Sequence, residues 1–219
     1  MKNNVVKKSI FEKILDVLLP YYCRGCGKTG SLLCENCLAE LEVPIRDFRG
    51  KEVELGEIEE LFVGGWREGV LRKLVEDYKF KSVKKISGIL AGILDETVPL
   101  EMEAVVVPLP TISQHIRQRG FDHAKRLAEE FAKLRGSEVS EVLVRKNNTV
   151  QVGANEEMRR RQAEEAYEVD FSKFEAGKVY LLVDDVWTTG ASMRAAAKKL
   201  RQAGAERVFA ATVEIGLAI

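Results

Sequence analysis

The chain has 219 residues, which is enough to bury a substantial core and allows one large domain or a small domain beside a medium one. Its 34 lysines and arginines balance its 34 aspartates and glutamates, so no global field would draw it to DNA or to an anionic membrane. This balance argues against a dedicated DNA-packaging protein, and any nucleic-acid role must rest on local patches.

The first apolar segment, residues 10–19, predicts a short amphipathic helix. Its apolar residues follow helical spacing, three charged residues interrupt the run, and Pro20 ends it. The segment is far shorter than a membrane span and lacks a small-residue cleavage site. We therefore expect no membrane insertion and a cytoplasmic protein.

Two Cys-x-x-Cys pairs follow, at Cys23, Cys26, Cys34 and Cys37. Four thiolates satisfy tetrahedral Zn²⁺ with no open position, so the spacing predicts a structural zinc site in a small zinc-ribbon-like segment that folds on binding metal. An iron–sulfur cluster is the alternative that the same ligands allow. A cytoplasmic location disfavours disulfides, and redox chemistry at one pair would leave the other unexplained.

We predict three parts in the chain: residues 1–42 with the N-terminal helix and the zinc segment, residues 43–60 as a linker or β excursion, and residues 61–219 as the main domain. In the main domain, strand-like runs alternate with helical patterns. We expect strands over residues 61–65, 104–107, 142–145, 179–183 and 208–214, and helices over residues 70–80, 84–94, 122–134 and 191–203. Continuous Val, Leu and Ala runs are typical of strands buried on both faces, so the pattern predicts an α/β domain with a largely parallel sheet.

The most informative segment is residues 179–192, VYLLVDDVWTTGAS, in which an apolar strand ends in Asp184 and Asp185 and a loop then leads into a helix. Ligands gather at the carboxyl ends of parallel strands, where a helix start offers unpaired N–H groups to phosphate. Hydroxyl donors are available at Thr188, Thr189 and Ser192, and Gly190 lets the backbone approach an anion. Because the two carboxylates would repel phosphate, we expect them to face neutral hydroxyls or a metal. The alternative is a buried strand followed by an ordinary helix cap.

An earlier strand ends in a loop with two prolines, VVVPLPT at residues 105–111, and Arg117 and Arg119 follow it. Pyrophosphate carries more charge than one helix terminus can neutralise, and arginines offer fork-like donors for it. Taken alone, such arginines are typical of a solvated face. We expect His115 and His123 to be surface or loop residues, because four better zinc ligands are present.

Residues 179–192 resemble the binding motif of type I phosphoribosyltransferases for 5-phosphoribosyl 1-pyrophosphate (PRPP). The wider chain is similar to the ComF family, the competence-associated phosphoribosyltransferase-like proteins. The similarity lies in the order of the cysteine pairs, YKFKS at 78–82, VVPLP, RQRGFDHA at 117–124, the arginine cluster 159–161 and VDDVWTTGAS. Many family members have GFNQA where this chain has GFDHA, and Gln162 stands where an asparagine often follows the arginines. These departures leave Asp122, His123 and Gln162 without an assigned role.

The resemblance implies a parallel-sheet fold of the type I phosphoribosyltransferase kind with a PRPP site and Mg²⁺ bound alongside PRPP. It implies that Asp184 and Asp185 hold the ribose hydroxyls, and that Thr188, Thr189, Gly190, Ala191 and Ser192 hold the 5-phosphate. We assign the pyrophosphate to Leu109, Pro110, Thr111, Arg117 and Arg119.

Three functions compete at this point. The first is a phosphoribosyltransferase, linked to DNA uptake or nucleotide salvage, whose acceptor the sequence does not identify. The second is a non-catalytic factor that handles single-stranded DNA beside a competence helicase, using Lys79, Lys81, Lys84, Lys85 and the arginine cluster as a basic track. The third is a generic phosphate binder with a structural zinc. We favour an enzyme, but no general base or glutaminase segment is evident, so the sequence leaves a role in binding alone open.

Overall fold

A computed structural model describes residues 21–41, 43, 52–146 and 166–216 of the chain. The predicted N-terminal helix and the arginine cluster 159–161 lie outside these residues. The chain divides into two compact units, the first of which ends at Leu41. None of the described helices is long and apolar enough to cross a membrane.

The described part of the first unit is built from a hairpin and one short helix. Tyr22 and Thr29 pair in an isolated antiparallel bridge, so the first Cys-x-x-Cys pair lies on a hairpin. Gly27 takes a φ of +75° within it, a value that glycine adopts without strain. Helix α1 (Glu35–Ala39) follows and carries Cys37.

The second unit alternates strands and helices. In chain order they are β1 (Leu61–Trp66), α2 (Gly69–Phe80), α3 (Ile86–Asp95), β2 (Val105–Pro108), α4 (Ser113–Arg119), α5 (His123–Arg135), β3 (Leu143–Arg145), β4 (Tyr167–Val169), β5 (Val179–Trp187), α6 (Ala191–Ala203) and β6 (Arg207–Ile215). Four strands form a parallel sheet in the order β1-β6-β5-β2, and β3 pairs with β4 in a small antiparallel sheet. The predicted α/β fold with a largely parallel sheet is confirmed.

The parallel sheet is covered on both faces. Every residue of β6 from Val208 to Ile215 is buried, which requires packing on both sides of the strand. Helix α6 contributes Ala196 and Leu200 to a core cluster with Leu182 of β5, and α3 packs against α5. All four strands run in the same direction, so their carboxyl ends lie at one edge of the sheet.

The structure differs from the expected elements in three places. Strand β5 continues beyond Val183 to Trp187, because β6 continues beside it and Trp187 still pairs with Ile215. Helix α4 was not expected, since none of its residues is buried and it carries no apolar stripe. The three-residue strand β4 was also missed, because so short a run carries no readable alternation.

Candidate functional site

The carboxyl ends of β1, β2 and β5 border a cavity of about 390 Å³. Arg67, directly after β1, lines one side. The loop after β2, Leu109 to Thr111, lines another, and the loop after β5 lines a third. The cavity therefore lies where parallel α/β sheets hold their ligands.

The loop after β5 surrounds the open end of a helix. Thr188 and Thr189 are exposed, Gly190 takes a φ of +72°, and α6 begins at Ala191. The Ala191 backbone N–H donates a long hydrogen bond of 3.4 Å to Thr189 Oγ1, and Ser192 lies in the first turn of α6. Three hydroxyls and a helix N-terminus thus border one cavity, an arrangement that suits a phosphate dianion.

Arg194 connects the loop after β5 to the segment that precedes β1. Its Nη1 donates hydrogen bonds to the Thr189 carbonyl at 2.8 Å and to the Glu54 carbonyl at 2.9 Å. The loop is therefore held by two different parts of the chain, which keeps its donors in place before a ligand arrives.

The two acids that end the apolar part of β5 lie in different surroundings. The Asp185 side chain is 1 % exposed, and its Oδ1 lies 2.7 Å from the Lys79 ammonium. The Asp184 side chain is 20 % exposed, and its Oδ1 accepts a hydrogen bond from the Asp185 backbone N–H at 2.9 Å. Asp184 is thus the more accessible acid of the pair.

These surroundings shift the pKa values of Asp184 and Asp185 in opposite directions. Burial and the charge of Asp185 together raise the pKa of Asp184 well above its ordinary value. Burial acts in the same direction on Asp185, but the charge of Lys79 and its hydrogen bond to the carboxylate oppose it, and the pKa of Asp185 is lowered. Asp185 is therefore held as a carboxylate.

His123 is buried and lies beside the acid pair, so its expected position at the surface is wrong. Only 6 % of the residue is exposed, and its Nε2 lies 3.4 Å from Asp185 Oδ2. Arg119 Nη1 lies 2.8 Å from His123 Nδ1. The same Nη1 lies 3.3 Å from His123 Nε2, and a guanidinium can only donate to either ring nitrogen. Burial lowers the pKa of His123, in keeping with a neutral ring.

Four of the five residues assigned to pyrophosphate line the cavity. Leu109, Pro110, Thr111 and Arg119 line the cavity, as does His115. Arg117 is exposed on α4 and is not among the lining residues. Thr111 donates a hydrogen bond to Asp122 Oδ1 at 2.9 Å, and the same oxygen accepts from the Lys125 backbone N–H at the start of α5. Asp122 therefore joins the β2 loop to a helix cap.

The small antiparallel sheet adds two residues that were not predicted for the site. Arg145 and Tyr167 both line the cavity, and Arg145 Nη1 donates a hydrogen bond to the Tyr167 hydroxyl at 2.8 Å. They bring a further cation and a hydroxyl to the cavity.

Glu214 is a buried acid near the carboxyl end of β6, beneath the cavity-lining Arg67. Its side chain is inaccessible, and Arg67 Nε lies 3.4 Å from its Oε1. Neither carboxylate oxygen has a hydrogen-bond partner among the described residues. Burial raises the pKa of Glu214 from an ordinary 4.5 to about 7.

Replacing Glu214 with glutamine is expected to flatten the dependence of stability on pH. As the pH rises from 4.5 towards 7, the unfolded chain loses this proton before the folded chain does, so ionisation favours unfolding. Glu214 then costs the folded state about 3 kcal/mol above pH 7, a cost that Glu214→Gln removes. Urea unfolding at pH 5 and pH 8 measures the difference. The exposed Glu57→Gln is the control, and an unchanged pH dependence in Glu214→Gln would contradict the assignment.

The four cysteines of the first unit converge on one point. Their sulfur atoms all lie within 4.8 Å of one another, with Cys34 Sγ at 3.7 Å from Cys23 Sγ and 3.6 Å from Cys26 Sγ. Four sulfurs at about 2.3 Å from a tetrahedral zinc would be about 3.8 Å apart. No disulfide joins them, and the Cys34 backbone N–H donates to Cys23 Sγ at 3.4 Å. The cluster could hold a zinc ion.

Comparison with known proteins agrees with this geometry. The phosphoribosyl transferase domain family matches residues 115–214. Competence protein F of Haemophilus influenzae (strain ATCC 51907 / DSM 11121 / KW20 / Rd) is 26 % identical over 200 residues, which cover 85 % of this chain and 86 % of that protein. The chain is ComF-like. Its second unit has the α/β fold of type I phosphoribosyltransferases.

A solved structure described as the allosteric regulatory enzyme of purine biosynthesis is also similar to this ComF-like chain. The match covers 66 % of the chain at 18 % identity with a TM-score of 0.41, and it spans 26 % of the length of that enzyme.

The region that matches the phosphoribosyl transferase domain family, residues 115–214, contains Arg119, His123 and the whole loop after β5. Lys79 and Leu109 to Thr111 lie outside it.

Proposed function

We propose that the cavity of this ComF-like protein binds PRPP. The observation that carries the proposal is the convergence of three kinds of group on one cavity: a hydroxyl-bearing loop at a helix start, an acid pair and several cations. A simple phosphate needs only the first of these. A ribose that bears phosphate at one end and pyrophosphate at the other uses all three.

The proposed orientation follows from the charges. The 5-phosphate lies in the loop Thr188 to Ser192, and Asp184 accepts hydrogen bonds from the ribose hydroxyls with Asp185 behind it. The pyrophosphate lies against Leu109 to Thr111 and Arg119. We keep Arg117 as a proposed pyrophosphate ligand, although it does not line the cavity.

We further propose that the site is catalytic, with an acceptor that stays unassigned. The bond from ribose C1 to the pyrophosphate oxygen breaks, pyrophosphate leaves with the electron pair, and a nitrogen nucleophile bonds to C1 and gives up a proton. Arg119 would stabilise the charge that gathers on the leaving group. Mg²⁺ would be held mostly by oxygens of PRPP, where it neutralises charge on the pyrophosphate.

The name of the Haemophilus relative supports a role in competence, and we propose that this chain acts in DNA uptake or nucleotide salvage in the cytoplasm. A non-catalytic role with single-stranded DNA and a competence helicase is the second candidate. The described part of the basic track supports it less, because Lys79 is paired with Asp185 and Lys81 with Asp77 at 2.7 Å. Binding of short single-stranded DNA that weakens steeply with added salt would favour this candidate.

We propose that the cysteine cluster holds one structural zinc. Four closely spaced sulfurs leave no open position for a substrate, which suits a structural rather than a catalytic ion.

Replacing Asp184 with asparagine tests the PRPP proposal. PRPP with Mg²⁺ should raise the melting temperature of the wild-type protein, and Asp184→Asn should weaken PRPP binding about tenfold or more, since it replaces one acceptor oxygen for the ribose hydroxyls by an N–H donor. Binding of inorganic phosphate should stay within about twofold, because the phosphate loop is intact. Isothermal titration calorimetry measures both affinities.

Asp184→Asn is a sharper test than replacing both acids, because Asp185 also holds the Lys79 ion pair and its loss would disturb the fold. Glu57→Gln, a change at an exposed acid that does not line the cavity, serves as the control. Equal PRPP affinity in Asp184→Asn and the wild-type protein would refute the ribose assignment.

A further inference from the structure

Lys79 reaches the acid pair from a part of the chain that the phosphoribosyl transferase match does not cover. It lies in the last turn of α2, its side chain is only 17 % exposed, and it lines the cavity. Lysine is seldom buried unless its charge is paired. Its partner here is Asp185, at 2.7 Å from Nζ to Oδ1.

The two oxygens of Asp185 each face a protein group rather than the cavity alone. Lys79 takes Oδ1, and His123 Nε2 lies 3.4 Å from Oδ2. The backbone N–H of Asp185 donates to Asp184 Oδ1 and so orients the second acid. Lys79 of α2 therefore holds Asp185 through Oδ1, whereas Oδ2 has no hydrogen-bond partner among the described residues. Asp184 keeps the greater exposure to the cavity.

We propose that Lys79 is a positioning residue for the ribose site: by pairing with Asp185 it holds the acid pair ready to accept ribose hydroxyls without repelling the phosphates. The inference rests on the proposed function. Two unpaired carboxylates beside a phosphate loop would oppose an anionic ligand, and the ammonium leaves the pair with one net negative charge instead of two. Lys79 acts through Asp185 rather than on the ligand.

Lys79 lines the cavity, so its position would also allow it to bind phosphate directly. The two roles predict different results when Asp185 is replaced. A positioning residue loses its effect once the residue through which it acts is gone. A direct phosphate ligand keeps its effect whatever stands at position 185. A double-mutant cycle over Lys79 and Asp185 distinguishes these cases.

The experiment compares the wild-type protein with Lys79→Met, Asp185→Asn and the double variant, using ribose 5-phosphate and inorganic phosphate as probes in calorimetry. We expect Lys79→Met to weaken ribose 5-phosphate about tenfold and inorganic phosphate by a smaller factor, because inorganic phosphate meets only the added repulsion and does not use the acid pair as a hydroxyl acceptor. In the Asp185→Asn background, Lys79→Met should cause no further loss. Lys73→Met, a change at an exposed lysine on the same helix, is the matched control and should bind as the wild type does.

Lys79→Met also leaves the Asp185 charge buried and unpaired, so this variant is expected to melt at a lower temperature than the double variant. If Lys79→Met does not fold, the comparison of Asp185→Asn with the double variant still tests the inference, because a further loss of ribose 5-phosphate affinity in the double variant contradicts it and an unchanged affinity supports it. An equal loss of ribose 5-phosphate affinity in both backgrounds would overturn the inference, as would no loss in either. Wild-type protein that binds ribose 5-phosphate no better than phosphate would instead contradict the proposed function.

Discussion

Replacing Gly190 with alanine is expected to abolish phosphate binding and to destabilise the second unit by about 2–6 kcal/mol. Gly190 has a φ of +72°, which strains any residue with a side chain. A Cβ there would also lie 2.1 Å from Cζ2 of Trp187, a residue that is only 2 % exposed. The loop must therefore shift, and the helix N–H groups shift with it.

Gly177→Ala is the matched control for this prediction. Gly177 has a φ of +75°, but no atom lies within 4 Å of where its Cβ would be. It should therefore cost only the backbone strain, about 1 kcal/mol. Urea unfolding measures both variants, and calorimetry with PRPP and with inorganic phosphate measures binding. If the two alanine variants lose the same stability and both still bind phosphate, contact with Trp187 does not constrain the loop.

Replacing Cys34 with serine is expected to release the zinc that we propose and to unfold the cysteine segment. Cys34 Sγ lies within 3.7 Å of two other sulfurs, so replacing Cys34 removes one of the four candidate zinc ligands. The described segment is too small to bury a core of its own, and structural zinc contributes on the order of 10 kcal/mol to such folds. Elemental analysis should give one zinc per wild-type chain and less in Cys34→Ser, and limited proteolysis should cut the variant faster within residues 21–41.

Asn36→Ala serves as the control for Cys34→Ser, because Asn36 lies between Cys34 and Cys37 and leaves all four thiols in place. It should keep both the metal and the resistance to protease. Iron in place of zinc would favour the cluster alternative, and wild-type protein free of both metals would contradict a metal site.

Local patterns predicted the sheet and the loop after β5 because each depends on neighbouring residues. The buried run before Asp184 marks a strand, and α6 begins and ends where the sequence suggested, at Ala191 and Ala203. Gly190 is required both by its positive φ and by the closeness of Trp187, and only the first of these can be anticipated from a glycine in a loop before a helix.

Lys79 and His123 could not be placed from local patterns, because their roles depend on which helix face meets the sheet. A signal was nevertheless present. Lys79 lies four residues after the buried Val75, and His123 lies four residues before the buried Leu127, so each continues the core-facing stripe of its helix. A charged or titratable residue in such a stripe needs a partner, and the partner of both is Asp185.

Arg117 was predicted for the site but does not line the cavity. The sequence placed it with Arg119 as an equal ligand, yet the two lie on different sides of α4, two residues apart, and only Arg119 lines the cavity. Residues at this spacing on a helix do not share a face. Helix α4 could not be predicted from an apolar pattern, because none of its residues is buried.

The strand order β1-β6-β5-β2 has a consequence for synthesis on the ribosome. The outer strands β1 and β2 are made first, but in this sheet neither pairs with the other, and each waits for a strand made much later. Until β5 and β6 emerge, β1 has no partner strand in this sheet, and β2 has only the bridge from Val106 to Val139. The growing chain is thus exposed to mispairing over most of its length, and the sheet closes only when its two central strands arrive.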